Sequence, residues 1–233
     1  MILCIETATS VCSVALCTAD GVVSSRQNNE NRSHASLLTV FISDILSEQG
    51  LKAKDLDGVA VSKGPGSYTG LRIGVSVAKG ISFRAGIPLI GIDTPLSMLN
   101  GMKDQYHSES DNTGDLIWCP MLDARRLEVY YCLFDRSGSR LSEITAKIIS
   151  ENSFSDIPVE KRVIFFGDGA MKCASIIKRK NSVFYPGFTN SAAHMQKPVY
   201  DAFLEKKFED VAYFEPFYLK DFITTTQKKN ILG

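Results

Sequence analysis

The chain opens on a short apolar run, Ile2 to Glu6, then a polar turn at Thr7-Ala8-Thr9-Ser10 and a second apolar run from Cys12 to Cys17. The Asp20-Gly21 pair turns it back into Val22 to Gln27, so the opening reads as an antiparallel meander of short strands. From His34 the period changes. Leu37, Leu38, Phe41, Ile42, Ile45 and Leu46 recur at helical spacing, which predicts a helix to about Gln49 with Ser33 as N-cap and Gly50 closing it. Gly58 to Ser62 predicts a buried strand, Thr69 to Arg84 a second helix ended near Gly86 and Pro88, and Leu89 to Ile92 another strand. Asp93-Thr94-Pro95 begins a short helix with proline in its first turn. The order βββαβαβα predicts an α/β lobe on a mixed sheet.

Residues Lys103 to Gly114 are polar and read as a linker. Beyond them Leu116 to Leu122, Leu127 to Phe134 and Glu143 to Ile149 read as strands, and Val163 to Phe166 leads into the turn Gly167-Asp168-Gly169 and a helix near Ala170 to Lys178. The stretch Asn190 to Asp210 is broadly helical but interrupted at Pro198, and the aromatic segment Tyr213 to Leu219 docks on the sheet ahead of a polar tail.

Length sets the scale: 233 residues suit one large domain or two small lobes. No apolar run approaches the length that spans a bilayer, and the N-terminus meets Glu6 without a basic region, so the expectation is a cytoplasmic chain without signal peptide or membrane anchor. Lys plus Arg and Asp plus Glu both total 26, which argues against a protein that grips nucleic acid alone. The basic runs Lys178-Arg179-Lys180 and Lys228-Lys229 read as solvated helix ends or tails, leaving most of any nucleic-acid grip to another subunit. Six cysteines, with no C-x-x-C and no zinc spacing, point to packing in a reducing compartment.

The strongest local signal is Gly64-Pro65-Gly66-Ser67-Tyr68-Thr69-Gly70-Leu71-Arg72-Ile73-Gly74, between a strand and a helix start. It is neither a Walker A loop, lacking Lys-Ser/Thr, nor the dinucleotide fingerprint, being one residue too long. Gly70, Gly74 and Ala78 fall four apart on one helical face, and each mid-helix glycine costs roughly 1 kcal/mol against alanine. Close approach of another helix offsets that cost, either the His34 to Gln49 helix of the same chain or a helix of a second chain. Catalytic chemistry is sparse: His34, His107 and His194 form no metal pair. Asp123 and Glu128 around Arg125-Arg126 suit a salt-bridged turn or general acid–base work, and Glu6 with Thr7, Thr9 and Ser10 suits either a polar hairpin turn or a Mg²⁺-nucleotide site.

Taken together, Ile5 to Ser10, Ser33-His34-Ala35-Ser36-Leu37-Leu38, the glycine-rich segment, Asp123 to Tyr130, Gly167-Asp168-Gly169 and Pro216-Phe217-Tyr218-Leu219-Lys220 resemble the TsaB (YeaZ) family across essentially the whole chain. The resemblance implies an actin-like ATPase (ASKHA) fold of two lobes, 1–103 and 104–233, each with a mixed βββαβα core. It implies a non-catalytic role in making threonylcarbamoyladenosine in tRNA, beside the larger catalytic homologue TsaD and an ATPase subunit, TsaE. TsaD would dock on a bundle of the first two helices, through Ser33, His34, Leu37, Leu38, Phe41, Tyr68, Thr69, Gly70, Arg72, Ile73, Gly74 and Val77. In isolation the chain would pair with itself, and tRNA would be met only through the complex. No cofactor is required by this chain, with ATP or ADP a candidate for the subunit interface. TsaD carries two metal-binding histidines four apart after the strand that corresponds to Leu89–Ile92; here Thr94 and Met98 stand in those positions, so that chemistry is not expected. The competing readings are an independent nucleotide hydrolase and a metallopeptidase.

Overall fold

A computed structural model describes residues 1–29, 34–106 and 116–220, His34 by its backbone alone. The Ser33 cap, His107, most of the proposed linker and the Lys228-Lys229 tail lie outside the described residues. The first half runs β1 (Ile2–Glu6), β2 (Cys12–Thr18), β3 (Gly21–Asn28), α1 (His34–Glu48), β4 (Gly58–Gly64), α2 (Tyr68–Ala85), β5 (Leu89–Asp93) and α3 (Thr94–Gln105). Its strands form one sheet in the order β3-β2-β1-β4-β5, antiparallel through the meander and parallel from β1 onward. This is the expected first lobe, except that α3 is a full helix and not a short one.

The second sheet contains β6 (Leu116–Asp123), β7 (Glu128–Tyr131), β8 (Phe134–Asp135), β9 (Thr145–Ile148), β10 (Arg162–Phe166) and β11 (Ser182–Phe184). Read from its far edge the order is β9-β7-β6-β10-β11, with β8 pairing off this path on β6. A three-strand antiparallel group continues into parallel strands, as in the first sheet. What differs is the crossovers. The helix expected over Ala170 to Lys178 is a 3-10 turn, Met171–Cys173, followed by irregular chain. The amide of Lys178 donates to the carbonyl of Glu151, and the Arg179 guanidinium to the carbonyls of Pro158 and Lys161, so tertiary bonds hold this segment out of helical geometry. The second lobe therefore keeps the strands of a βββαβα core without its helices. The single strand expected from Leu127 to Phe134 is likewise divided into β7 and β8, and β11 had no signal in the sequence.

α1 and α2 cover one face of the first sheet, burying Leu38, Ile42, Ile45, Val75 and Ala78 against Leu3, Ile5, Val14 and Val61. The other face is covered by chain that follows the second sheet: a 3-10 turn, Ala192–Met195, and α4 (Gln196–Leu204), which pack Ala192, Met195 and Val199 on Ile2, Cys4, Cys17 and Ile90. From there residues 209–220 stay on the first lobe for most of their length. Glu209 bridges Leu89 at the β5 edge, Phe214 enters the first core, and Lys79 holds the carbonyls of Ala212 and Phe214 at 3.2 and 2.9 Å. The amide of Phe217 donates to Lys63, Leu219 packs on the second core, and Lys220 pairs with Glu128. The expected boundary at 103/104 is thus not a spatial one, because the returning chain supplies a whole layer of the first lobe. Among the described residues no helix is long and apolar enough to cross a membrane.

Candidate protein-docking face and the interlobe cleft

The β1–β2 turn and α2 are built around each other. Thr7 Oγ1 donates to the carbonyl of Gly70 at 2.8 Å, and the amide of Ser67 to the carbonyl of Ala8 at 2.6 Å. A Cβ at Gly70 would overlap the Thr7 carbonyl oxygen, and one at Gly74 would overlap Thr7 Oγ1. The close neighbour that the glycine spacing demanded is therefore a strand end of the same chain, not a helix of this or another chain. Ser67 caps α2 by accepting from the amide of Gly70, and Gly86 ends it in left-handed conformation (φ 69°).

This arrangement sorts the residues assigned to a partner surface. Leu38, Gly70 and Gly74 are buried inside the first lobe and present nothing to a partner. Thr69 and Arg72 are exposed, while Leu37, Phe41, Tyr68, Ile73 and Val77 are half-buried along the outer side of α1 and α2. Ser33 and the side chain of His34 lie outside the described residues. The Arg72 guanidinium donates to Tyr68 Oη at 2.9 Å and lies 5.4 Å from its ring centroid, and the Tyr218 ring packs against that of Tyr68 with centroids 4.9 Å apart. The same two helices also carry Val40, 49% exposed, and Phe83, 83% exposed. Neither stands out in the sequence as a contact residue, although Phe83 follows Ile73, Ser76 and Gly80 at helical spacing and was legible on that ground.

The nucleotide assignment fares less well for half its members. Glu6 and Thr7 are fully buried, with Glu6 Oε1 accepting the amide of Ala8 at 2.6 Å. Burial pushes the Glu6 carboxyl above its usual range, against the pull of the neighbouring Ser62 and Asn190 side chains and backbone amides. Only Thr9 and Ser10 line the cleft between the lobes, with Asn29, Met98, Asp168 and Asn190 among the residues opposite. That cleft measures about 180 Å³, below the roughly 300–1,000 Å³ of sites that enclose a ligand of nucleotide size. Loss of hydration raises the Asp168 carboxyl, and Asp123 adds to the effect. A larger open cleft of about 670 Å³ lies elsewhere between the lobes, but its floor is already paired: Lys63 sits 3.5 Å from Asp93, and Lys103 donates to the Ser137 carbonyl at 2.6 Å.

Thr94 and Met98, the residues expected at the positions of TsaD's metal-binding histidines, do not fit a metal. Thr94 offers a neutral hydroxyl and Met98 a thioether packed in the second core, a poor set for a hard cation. Among the described residues no cluster of three His, Cys, Asp or Glu could hold one. Asp123 pairs with Lys172 and Glu128 with Lys220, so the expected salt-bridged turn exists with lysine partners in place of Arg125 and Arg126. All six cysteines are free and buried. Burial carries the Cys12 thiol up to about 11 and the Cys132 thiol to about 12, values that keep both neutral.

The profile of the family described as "TsaD: tRNA N6-adenosine threonylcarbamoyltransferase" matches residues 21–221. The "tRNA threonylcarbamoyladenosine biosynthesis protein TsaB" of Escherichia coli K12 is 29% identical over 94% of this chain and 94% of its own length. The protein of the same name from Buchnera aphidicola subsp. Schizaphis graminum is 30% identical over 78% of this chain and 83% of its own. The solved structure of YeaZ from Pseudomonas aeruginosa superposes with a TM-score of 0.77 at 21% identity, covering 94% of this chain and 99% of that one, which establishes a shared fold. Because the profile spans most of the sequence and the relatives align nearly end to end, the chain belongs to the TsaB branch of this family, which acts in tRNA threonylcarbamoyladenosine biosynthesis.

Proposed function

We propose that this chain is a non-catalytic subunit of the threonylcarbamoyladenosine machinery that docks on the TsaD transferase through the outer face of α1 and α2. The observation that carries this reading is the exposure of Val40 on α1 and Phe83 on α2, two helices along which Leu37, Phe41, Ile73 and Val77 are only half-buried. An apolar face of this kind on paired helices suits a complementary helix pair, and buried aromatic anchors commonly dominate such contacts. Tyr68, Thr69 and Arg72 would form its polar rim. The same face would join two copies of the chain when TsaD is absent, and TsaE would act on the TsaD-bound form in the cytoplasm.

Catalysis would belong to the partner. Thr94 and Met98 supply no metal site, Thr7 Oγ1 is bonded to the carbonyl of Gly70, and Glu6 is fully buried with its Oε1 bonded to the amide of Ala8. In this reading the chain requires no cofactor of its own, and ATP or ADP would bind where the two subunits meet.

The test is co-purification with TsaD of a variant carrying Phe83→Ser and Val40→Asp, both on exposed positions. Capture should fall by tenfold or more while circular dichroism and melting stay close to wild type. Threonylcarbamoyladenosine in tRNA from cells depleted of this chain should then be restored by the wild-type gene and not by the variant. Undiminished capture would reject this face as the docking surface.

A further inference from the structure

The hairpin between β6 and β7 turns on Arg125 and Arg126, whose φ angles are 68° and 49°. Two successive left-handed residues are the geometry that Asn-Gly or Gly-Gly normally supply, because a Cβ is disfavoured there. The surroundings hold these arginines in it. The amide of Ala124 donates to Glu128 O, that of Glu128 to Arg125 O, and that of Arg125 to Asp123 Oδ1 at 2.8 Å. The amide of Asp123 donates to Asp168 Oδ1 at 3.0 Å, and Lys172 Nζ donates to the carbonyls of Arg126 and Glu128 at 2.9 and 2.6 Å. A strained conformation fixed from several sides marks a turn whose side chains are presented for use.

The charges around the turn are sorted in the same direction. Asp123 and Glu128, the acids nearest in sequence, are neutralised by Lys172 and Lys220. Arg125 and Arg126 are exposed, and among the described residues neither guanidinium has a hydrogen bond or ion pair. Among the described residues the tip therefore carries two unpaired cations above acids that are already matched. Beside them Leu127 is 49% exposed. An exposed turn of this kind suits a large, extended partner better than a small anion.

We infer that the Arg125-Arg126 turn is this chain's own contact for the phosphate backbone of an RNA. Guanidinium forks meet phosphate oxygens in bidentate fashion, and adjacent ones can span neighbouring phosphates of one strand. Leu127 would lie against a sugar or base. Choosing RNA over another polyanion rests on the reading of the chain as part of a tRNA-modifying assembly. The inference departs from the expectation that tRNA is met only through the complex.

The experiment titrates the purified full-length chain into a fluorescein-labelled anticodon stem-loop RNA and follows anisotropy across a salt series. The Arg125→Gly/Arg126→Gly variant should bind on the order of tenfold more weakly, with a salt slope shallower by about 0.7 for each phosphate no longer neutralised. Glycine suits both backbone positions, so that variant should also melt at or above the wild-type temperature, which excludes misfolding as the cause. Lys178→Gln/Lys180→Gln, at the other basic cluster, should bind as wild type does. Equal RNA affinity in the glycine variant, or no RNA binding by the wild type at low salt, overturns the inference. Displacement of the RNA by Mg-ATP, with ATP binding that depends on both arginines, reassigns the turn to a nucleotide and overturns it as well. TsaD capture by the same variant is read separately, so a failure of docking and a failure of RNA binding are distinguishable.

Discussion

Thr7 Oγ1 donates to the carbonyl of Gly70 at 2.8 Å, inside a helix whose next glycine, Gly74, leaves room for that same threonine. The β1–β2 turn is thereby locked to α2, and the glycine spacing of α2 is a consequence of that lock. A substitution at Gly74 strikes the fold of the first lobe before it can report on any partner.

Gly74→Val should accordingly cost about 1–3 kcal/mol or more, since the added atoms overlap Thr7 and meet Val61. Gly80 is in the same helix, and a Cβ added there would meet open space, so Gly80→Ala should gain about 0.5–1 kcal/mol. Urea denaturation of the pair measures both. Equal effects would mean that helix propensity, and not the Thr7 contact, governs this helix.

Phe214 is the deepest anchor of the returning C-terminal segment, 8% exposed in the first core. Phe214→Ala should destabilise by about 3 kcal/mol. Amide exchange should rise first at Glu209 and Phe217, whose N–H groups bond to Leu89 and Lys63. Protection unchanged at those two amides would show that the segment is held by its polar contacts alone.

His194 is set against Gly101 of α3 and packed on Phe188 with ring centroids 5.5 Å apart, and burial lowers its imidazole below 6.5, partly offset by Asp104. Below pH 6.5 the unfolded chain binds this proton and the folded one resists it, so stability is present above 6.5 and declines as pH falls toward the lowered folded value. His194→Asn should flatten the part of the profile that falls away below pH 6.5. An identical slope in wild type and variant would assign the acid sensitivity to other groups.

The cysteines should behave as core residues. Native protein should react negligibly with a soluble thiol reagent, and all six should react after denaturation. Rapid native labelling at Cys12 or Cys132 would contradict both their burial and their raised values.

Much of the first lobe is legible because local signals agree with tertiary ones. The period of Leu37, Leu38, Phe41 and Ile45 and the Gly86 stop define helices that the packing then uses. In the second lobe the signals diverge. Ala170 to Lys178 has helical periodicity, yet bonds from Glu151 and Arg179 to distant parts of the chain prevail. Likewise Arg125-Arg126 has no Gly or Asn to signal a left-handed backbone, and the bonds that support it come from Asp123 and from Lys172, far away in sequence.

Local pattern and motif suffice for the α/β class, the strand and helix order of the first lobe, the lack of a metal-binding histidine pair and membership of the TsaB family. Long-range packing was needed to decide which side of α2 faces solvent, that Leu38, Gly70 and Gly74 are core while Phe83 is surface, and that residues 192–217 return to complete the first lobe. The reason is physical: spacing along a helix reveals that small residues share a face, but what lies against that face is set by chain far away in sequence, here Thr7.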